Sequence, residues 1–574
     1  FFVYKLLPVD KLSKKCYNFK RSYLNFELYI GTKSLKGAII KMKYPVDKIR
    51  NICLLGHHGS GKTSLAEALL YYTKGSERLG NTEEGTTICD FDPEEIRRKM
   101  SISTSIAPVL WEDYKINILD APGYFDFEGE ELQALSAAEY AIITVSARSG
   151  VKVGTEKAFK LCREKGIPAM FYVTKMDVDS GDYHKVVNQL KEIFGQRICV
   201  YNVPIIENGK TIGYVDLKDM QGKRFENGKK IPVDIPPNMN DILKEFKESF
   251  NEALAETSDE MMEKYFAGEE YSPEEIKKAM KTGIKEGSIY PVMSGSAVDM
   301  VGIEQLLKFI ISYTPEPKAD PNAPTAIKVF KTVADPFVGK MSYFKVLAGS
   351  VKQGDILTNK TSGVAEKMSK LYIIKGKKQT EVPEISAGDI GVVTKLQQTS
   401  TKDILSAGKE DIPDIEIVYP KPCLSMAIYP KAKGDEEKIS QGLQKLKDED
   451  LTFSYTTNPE THEQIISGLG EIHLDIIVNK LKTKFGVDVE LKPPKVAYRE
   501  AIRKKVEQRG KHKKQSGGHG QYGDVLIVFE PYDGEDLLFE EKIFGGSVPK
   551  NFFPAIEKGL RECAAKGIQA GYPV

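Results

Sequence analysis

The sequence predicts a multidomain protein of mixed α/β and α+β architecture. Three observations support this prediction: the chain has 574 residues, two groups of prolines interrupt it, and the apolar pattern changes after each group. A chain of this length is too long for one hydrophobic core. We therefore expect a parallel α/β domain with an insertion, a β-barrel, a ferredoxin-like split αβ domain and part of a fourth αβ domain.

The first expected domain covers residues 45–314. Short apolar runs alternate there with helical stretches, which is typical of a parallel sheet covered by helices. The expected strands are 52–55, 116–119, 141–145, 169–173 and 290–293, and the expected helices are 64–72, 155–165 and 303–311. Residues from about 180 to 288 interrupt the alternation and are rich in charge, so we expect a partly helical insertion.

The second expected domain is a β-barrel at residues 325–412. It follows Thr314–Pro324, which has four prolines in eleven residues and is typical of a stiff linker. The barrel segment is rich in β-forming residues and has turn signals at Lys352–Asp355 and Ala387–Asp389. This combination predicts short antiparallel strands.

The last two expected domains follow the second group of prolines. Residues 420–496 show the order β-α-β-β-α-β, which predicts a ferredoxin-like split fold. Residues 497–574 begin with a basic, glycine-rich stretch, and we expect a fourth domain that is truncated at its end. The expected helices are 435–450, 472–482 and 552–566, and the expected strand of the fourth domain is 525–529.

Residues 1–44 are expected to be a non-native or disordered extension. Residues 1–41 carry nine basic and two acidic side chains, show no amphipathic period, and precede Met42. A start of the native chain at Met42 explains these features. A basic RNA-binding arm is the alternative interpretation.

The composition excludes several classes of protein. The net charge of +1 gives no general attraction to nucleic acid. The seven cysteines are scattered without a Cys-x-x-Cys pair, which disfavours a disulfide scaffold or a zinc site. No apolar run reaches the roughly 18 residues that a membrane span needs, and the first residues are too polar for a signal peptide. A cytoplasmic protein without a membrane partner is expected.

A phosphate-binding loop is predicted at residues 56–63, whose sequence GHHGSGKT matches G-x-x-x-x-G-K-[ST]. Its glycines let backbone N–H groups point at phosphate oxygens. Lys62 is expected to neutralise the β- and γ-phosphates, and the Thr63 hydroxyl to reach Mg²⁺. The motif lies between a predicted strand and a predicted helix, where such loops occur.

Three shorter motifs follow, each at the end of a predicted strand. Asp120 in DAPG is expected to hold Mg²⁺ through water, and Gly123 to present its N–H to the γ-phosphate. Asp177 can accept from both the ring N1–H and the exocyclic N2–H of guanine, while the stem of Lys175 can lie across the base. Ser296 and Ala297 come last, and the Ala297 N–H can donate to guanine O6. Because adenine lacks these partners, the order of motifs predicts GTP as the ligand.

The residues also carry a family resemblance. The segments DFDPEEIRRKMSIS, DAPGYFDF, TKMD, DPFVGKMSYFKVLAGSVKQGD, IISGLGEIHLDII and KQSGGHGQYGDV resemble those of the translational GTPases, most closely bacterial elongation factor G. The resemblance runs from about residue 46 to 574. It implies a P-loop GTPase domain with an insertion, a β-barrel, a split αβ domain and the first part of a fourth domain.

The resemblance implies a ribosome-stimulated GTPase that moves tRNA and mRNA during protein synthesis, with a role in ribosome recycling. The implied ligands are GTP or GDP with Mg²⁺, and the implied partners are ribosomal RNA and proteins and the tRNA–mRNA complex, bound by a monomer. The basic stretch around Arg503–Lys514 agrees with RNA contact, although such a run is more often a solvated face. The expected GTP-binding residues are Gly56, His57, His58, Gly59, Ser60, Gly61, Lys62, Thr63, Ser64, Asp120, Gly123, Thr174, Lys175, Asp177, Ser296 and Ala297, and the expected metal ligands are Thr63, Ser101 and Asp120.

The sequence departs from the family pattern at five positions. Tyr124 stands where the family has the histidine that positions the attacking water. Ser101 replaces the threonine that closes over Mg²⁺ and keeps its hydroxyl. Thr174 replaces an asparagine and lacks the amide that braces the phosphate loop. Gly59 replaces an aspartate, and His58 replaces an apolar neighbour of the catalytic histidine.

Tyr124 and His58 are therefore the candidate catalytic residues. A phenol can hydrogen-bond to water, but its usual pKa of about 10 makes it a poor charged partner for the transition state. His58 is interpreted either as a loop residue without chemistry or as a substitute that orients water. These changes together resemble a divergent paralogue type, and they predict that nucleotide binding persists while ribosome-stimulated hydrolysis is slower.

Three alternative functions remain open from the sequence. A tetracycline-type ribosomal protection factor shares this domain order. A ribosome-binding protein that uses GTP as a conformational ligand, with weak hydrolysis, is consistent with Tyr124. A signalling GTPase that does not act on the ribosome is disfavoured because it leaves residues 325–574 unexplained.

Overall fold

The computed structural model describes residues 43–177, 181–207, 209–226, 229–335, 338–408, 417–534 and 536–574. The expected extension and Met42 lie outside these residues, except for Lys43 and Tyr44. Those two are packed against the protein: Tyr44 is buried and Lys43 pairs with Glu384. Lys43 and Tyr44, which the expectation placed in the extension, therefore contact the folded protein.

The described residues form two compact units. The first comprises the described residues up to Leu424 with Pro430–Ser454 and Ile466–Val489, and the second comprises Ser425–Tyr429, Tyr455–Ile465 and the described part of Glu490–Val574. Within the described residues, no helix is long and apolar enough to cross a membrane.

The first domain begins with six strands and five helices. They are β1 (Ile49–Leu55), α1 (Lys62–Tyr72), α2 (Pro93–Arg98), β2 (Ser105–Trp111), β3 (Tyr114–Asp120), α3 (Glu128–Ala137), β4 (Tyr140–Ser146), α4 (Val153–Glu164), β5 (Ala169–Thr174), α5 (Tyr183–Phe194) and β6 (Ile198–Val200). Each expected strand and helix of this part is present with bounds shifted by a few residues.

The insertion follows β6. It contains β7 (Asn202–Glu207), β8 (Lys210–Asp216), β9 (Gln221–Glu226), β10 (Lys229–Val233), α6 (Asn240–Ala255), α7 (Asp259–Ala267) and α8 (Pro273–Glu286). The four strands form their own sheet in the order β10-β9-β8-β7. The insertion was expected from about residue 180, and within that range α5 precedes β6, which joins the main sheet.

The main sheet is completed by β11 (Tyr290–Ser294), which is followed by α9 (Ile303–Tyr313). Its order is β2-β3-β1-β4-β5-β11-β6, and only β2 is antiparallel to its neighbour. Alternate residues of β1 enter different cores: Ile52 and Leu54 lie in one cluster, Cys53 and Leu55 in the other. A strand buried on both faces explains its continuous apolar run.

The second domain is a β-rich domain, called the β-domain below. Its strands are β12 (Ala326–Asp335), β13 (Gly339–Ala348), β14 (Ser350–Lys352), β15 (Ile356–Asn359), β16 (Ala365–Lys367), β17 (Leu371–Lys375), β18 (Lys378–Val382), β19 (Glu384–Ser386), β20 (Ile390–Thr394) and β21 (Ile404–Ser406). Eight of them form one antiparallel sheet around an apolar core that includes Phe344 and Val393.

The third domain has the expected β-α-β-β-α-β order. Its elements are β22 (Leu424–Pro430), α10 (Glu436–Glu449), β23 (Ser454–Thr457), β24 (Gln464–Gly468), α11 (Glu471–Phe485) and β25 (Val489–Lys492). The sheet order β23-β24-β22-β25 is that of a ferredoxin-like split fold. Helix α11 ends at Gly486, which has a left-handed φ of 68°.

The fourth segment contains a two-stranded hairpin and one helix: β26 (Val506–Gln515), β27 (Gly520–Phe529) and α12 (Phe553–Ala564). The basic stretch therefore forms most of a strand that the sequence pattern did not predict. All of β26 is exposed, so it lacks the apolar alternation by which a strand is recognised.

Candidate functional site

The predicted nucleotide motifs lie at one edge of the main sheet. They follow β1, β3, β5 and β11, which all run in the same direction. The carboxyl ends of parallel strands meet at one edge, and ligands of α/β sheets bind there. The structure thus brings together the phosphate loop, the DAPG segment and both guanine motifs.

The phosphate loop connects β1 to α1 and depends on glycine for close approach. Gly56 has a φ of 132°, and a Cβ there would lie 2.6 Å from the carbonyl oxygen of Thr144. The Ser60 and Thr144 hydroxyls are 2.6 Å apart and tie the loop to β4. The loop backbone is therefore held in place by its neighbours, and a glycine-rich turn of this kind can direct backbone N–H groups at an anion.

Lys62 is the buried cation of this loop. Its ammonium donates to the carbonyl oxygens of Gly56 at 2.8 Å and of His57 at 3.3 Å. Burial lowers the pKa of Lys62, while nearby carboxylates oppose that effect. A phosphate placed over the loop would supply the negative charge that a buried ammonium needs.

Oxygen atoms of the kind that can bind a divalent cation lie near Lys62. The Thr63 and Ser101 hydroxyls are 3.0 Å apart. Asp120 is 1% exposed, and neither carboxylate oxygen has a hydrogen-bond partner among the described residues. Mg²⁺ prefers such oxygen ligands, so the expected metal residues Thr63, Ser101 and Asp120 fit the ion.

Asp90 is a site residue that the sequence did not single out. It is 5% exposed, and within the described part of the chain its Oδ1 has no hydrogen-bond partner. Burial raises its pKa, against the opposing effects of the Ser101 hydroxyl and Lys62. Burial, and then the charge of Asp90, also raises the pKa of Asp120. The only sequence signal was its place in DFDPEEIRRKMSIS, eleven residues before Ser101.

The two candidate catalytic side chains lie against each other. The rings of His58 and Tyr124 stack at 4.3 Å with an interplanar angle of 19°. Gly123, which directly precedes Tyr124, lies in close contact with the phosphate loop, since a Cβ there would lie 2.2 Å from the Lys62 ammonium. Partial desolvation, and then the charge of Lys62, lower the pKa of His58, which favours the neutral form of its imidazole.

The guanine end contains one correction to the expected roles. Thr174 was expected to leave the phosphate loop without a brace, but its hydroxyl donates to the carbonyl oxygen of Ser60 at 2.5 Å. The shorter side chain keeps the brace because the loop passes close to β5. At the same edge, the buried Ser296 hydroxyl donates to Asp177 at 3.1 Å, while Lys175 is exposed.

The hairpin of β26 and β27 presents a basic surface. Within it Arg509 pairs with Asp524, and Lys505, just before β26, pairs with Glu530, just after β27. The exposed Tyr522 ring lies 5.8 Å from the Lys511 ammonium. Cations beside an exposed aromatic ring are a common surface for single-stranded or looped RNA.

Known proteins resemble this chain over almost all of its described length. Family models match in succession: "Elongation factor Tu GTP binding domain" at residues 47–316, "Elongation factor G domain 2" at 324–408, "Elongation Factor G, domain III" at 419–493 and "Elongation factor G, domain IV" at 494–574. A crystal structure of a protein from Thermus thermophilus is 38% identical and superposes with a TM-score of 0.82. That match covers 92% of this chain and 79% of the other.

Proposed function

The chain belongs to the elongation factor G type of translational GTPases, and on this premise we propose that it drives the movement of tRNA and mRNA through the ribosome. Membership establishes a GTPase that binds guanine nucleotide and interacts with the ribosome. Translocation, a role in ribosome recycling, action as a monomer and a cytoplasmic location are the further parts of the proposal.

The succession of four matching domains is the observation that carries this proposal. A nucleotide switch alone needs only the first domain. The fourth segment adds an exposed basic hairpin, and such a surface attracts RNA phosphates. We propose that this hairpin contacts the tRNA–mRNA complex.

Nucleotide binding is assigned to the residues that meet at the sheet edge. We propose that Lys62 and the loop N–H groups hold the phosphates, and that Asp177, Ala297 and the stem of Lys175 hold guanine. Thr63, Ser101 and Asp120, with Asp90 beside them, would hold Mg²⁺, which would neutralise charge on the β- and γ-phosphates.

Hydrolysis is proposed to be slow, and the stacked pair of Tyr124 and His58 is the reason. The Tyr124 hydroxyl and the neutral His58 ring can each hydrogen-bond to a water molecule. Neither supplies the positive charge that a protonated histidine offers to the transition state. The pair therefore orients water without stabilising the developing charge.

The test compares GTP cleavage in the presence of ribosomes for the chain and for Tyr124→His. We expect the variant to cleave GTP at least about tenfold faster, in line with the contribution of a positioned acid–base group. Phe125→His is the matched control, because it places an imidazole one position away, and it should leave the rate unchanged. His58→Ala measures the second member of the pair.

Equal rates for the chain and Tyr124→His would overturn the proposed slow step. Movement of mRNA is measured in the same reactions as a shift of the ribosome by one codon on the message. If GTP is cleaved but the message does not move, the translocation role is wrong and the GTP-switched ribosome-binding function is favoured.

A further inference from the structure

Helix α11 of the third domain begins without a cap of its own. Gly470 occupies its N-cap position, with extended backbone angles of −173° and 179°, and offers no side chain to the first turn. The first N–H groups of any helix need acceptors, which an N-cap side chain normally supplies. The acceptor here must come from elsewhere.

Asp126 supplies that acceptor from the first domain. The backbone N–H of His473, the third residue of the helix, donates to Asp126 Oδ2 at 3.1 Å across 347 residues of chain. The carboxylate also fills the space above Gly470, where a Cβ would lie 2.4 Å from the same oxygen. Asp126 thus occupies the place of the missing N-cap side chain.

The loop before α11 is held in the shape that receives Asp126. The Nδ1 atom of His473 accepts from the Leu469 N–H at 3.0 Å. Its Nε2 atom lies 2.8 Å from Asp450 and is therefore the donor. With its ring fixed at both nitrogens, His473 cannot cap the helix itself.

The same helix contacts both segments that border the nucleotide. We call residues 90–104 the first switch segment and residues 120–127 the second switch segment. Ile102 of the first, Phe127 of the second and Ile476 of α11 form one buried apolar cluster. Arg98 also pairs with Asp475 of the helix at 2.6 Å.

We propose that Asp126 is a positioning residue that couples the second switch segment to the third domain by capping α11. It lies two residues after Tyr124 and three after Gly123, the predicted γ-phosphate contact. A displacement of this segment therefore withdraws the acceptor from the first turn of α11. The coupling rests on the proposed binding of GTP at this site, whereas the capping contact does not.

The experiment measures amide hydrogen exchange in the first turn of α11, with GDP and with the slowly hydrolysed analogue GTPγS. We expect the exchange rate to differ between the two nucleotides in the unaltered chain. Asp126→Ala should raise the rate about tenfold and remove the difference. Asp126→Asn should keep part of the protection, because its amide oxygen still accepts.

A second variant separates coupling from stability. In Asp126→Ala with Gly470→Ser, the space above Gly470 is vacated and the new hydroxyl can cap the helix from within its own domain. Protection of the first turn should return, but the dependence on nucleotide should not. Glu128→Ala is the matched control, because this carboxylate lies two residues further on and pairs with Lys157 at the surface.

Two results would overturn the proposal. One is an exchange rate in the first turn of α11 that still differs between GDP and GTPγS in Asp126→Ala. The other is the return of that difference in Asp126→Ala with Gly470→Ser. Binding of a fluorescent GDP derivative is measured on the same samples. If the unaltered chain does not bind it, the proposed function fails. In that case the exchange rates of the nucleotide-free variants still decide whether Asp126 caps the helix.

Discussion

The first domain meets its two neighbours within the larger unit in different ways. Against the β-domain it forms a buried polar seam, made of Asn51, Lys115, Asn117, Glu139 and Asp389. Lys115 donates to both oxygens of Asp389 at 2.8 and 2.7 Å, with the two side chains 2% and 8% exposed. Asn117 adds bonds to Asn51 and Asp389, and Asn51 reaches Glu139.

Against helix α11 the contact combines an apolar cluster with polar interactions at its edge. It consists of the cluster around Ile476, the hydrogen bond from His473 to Asp126 and the ion pair of Arg98 with Asp475. In that pair the Asp475 side chain is 60% exposed, and ion pairs at such exposure contribute about 1 kcal/mol or less.

The difference shows which contact can open during a nucleotide cycle. Separating the polar seam would part the buried Lys115 ammonium from the buried Asp389 carboxylate. The loss of this partner costs several kcal/mol unless both groups reach water. Opening the contact with α11 exposes few groups that cannot be solvated. We expect the first domain and the β-domain to move as one body, and α11 to respond to the switch segments.

The largest predicted effect comes from breaking the seam. Asp389→Ala leaves the Lys115 ammonium buried without its partner, so we expect the free energy of unfolding to fall by about 3–5 kcal/mol. Urea denaturation followed by the fluorescence of Trp111, the single tryptophan of the chain, measures it. Glu381→Ala removes a carboxylate from an exposed ion pair of the same domain and should cost less than about 1 kcal/mol. Similar losses in both variants would contradict the distinct role of the seam.

A smaller effect is predicted for the contact with α11. Ile476→Ala removes a buried side chain from a small cluster, so we expect the free energy of opening of α11 to fall by about 2 kcal/mol. Hydrogen exchange in the helix measures this change, while the Trp111 denaturation midpoint should stay constant. Ile476→Val should cost less than about 1.5 kcal/mol. A shift of the Trp111 midpoint as large as that of Asp389→Ala would show that the two contacts are not independent.

The smallest predicted effect is the contribution of Asp450 to stability at acidic pH. Burial alone would raise the pKa of Asp450, but the hydrogen bond from His473 and donors from Thr452 outweigh it and hold the pKa at about 2. Because the folded-state pKa is depressed, the stabilisation is present above the ordinary value of 3.8 and is lost as pH falls through about 2.

Asp450→Asn lacks this titration. The stability difference between the unaltered chain and the variant should be about 1 kcal/mol near pH 6, since the carboxylate is partly exposed. It should shrink as the pH falls from about 4 toward 2. Urea midpoints at several pH values measure this difference. A gap that stays constant with pH would mean that the variant acts through packing.

The sequence was sufficient for the elements and motifs that depend on local pattern. The strands of the main sheet follow from apolar runs, and the phosphate loop follows from a spacing whose chemistry is local. Helix α11 was also expected, at 472–482 instead of Glu471–Phe485. Periodicity locates such elements because each one exposes or buries its own faces.

The sequence was not sufficient for groups whose partners lie far along the chain. Asp389 ends the Ala387–Asp389 segment, which appeared only as a turn signal, yet the structure buries it against Lys115. The sequence predicted that Thr174 cannot brace the phosphate loop. Its hydroxyl reaches the Ser60 carbonyl oxygen because the fold brings β5 close to the loop, which no local pattern predicts. Asp126 and Gly470 each lie in a family motif, but no spacing in the sequence predicts that Asp126 caps the helix that begins after Gly470.

Because Asp126 of the first domain caps α11, the order of synthesis along the chain also matters. A ribosome making this chain completes the first domain more than 150 residues before it reaches Gly470, and domains generally fold in that order. Helix α11 therefore emerges with the carboxylate that completes its first turn already in place. We expect the third domain to fold against a first domain that has already folded. A third domain made alone should lack the acceptor for the first turn of α11.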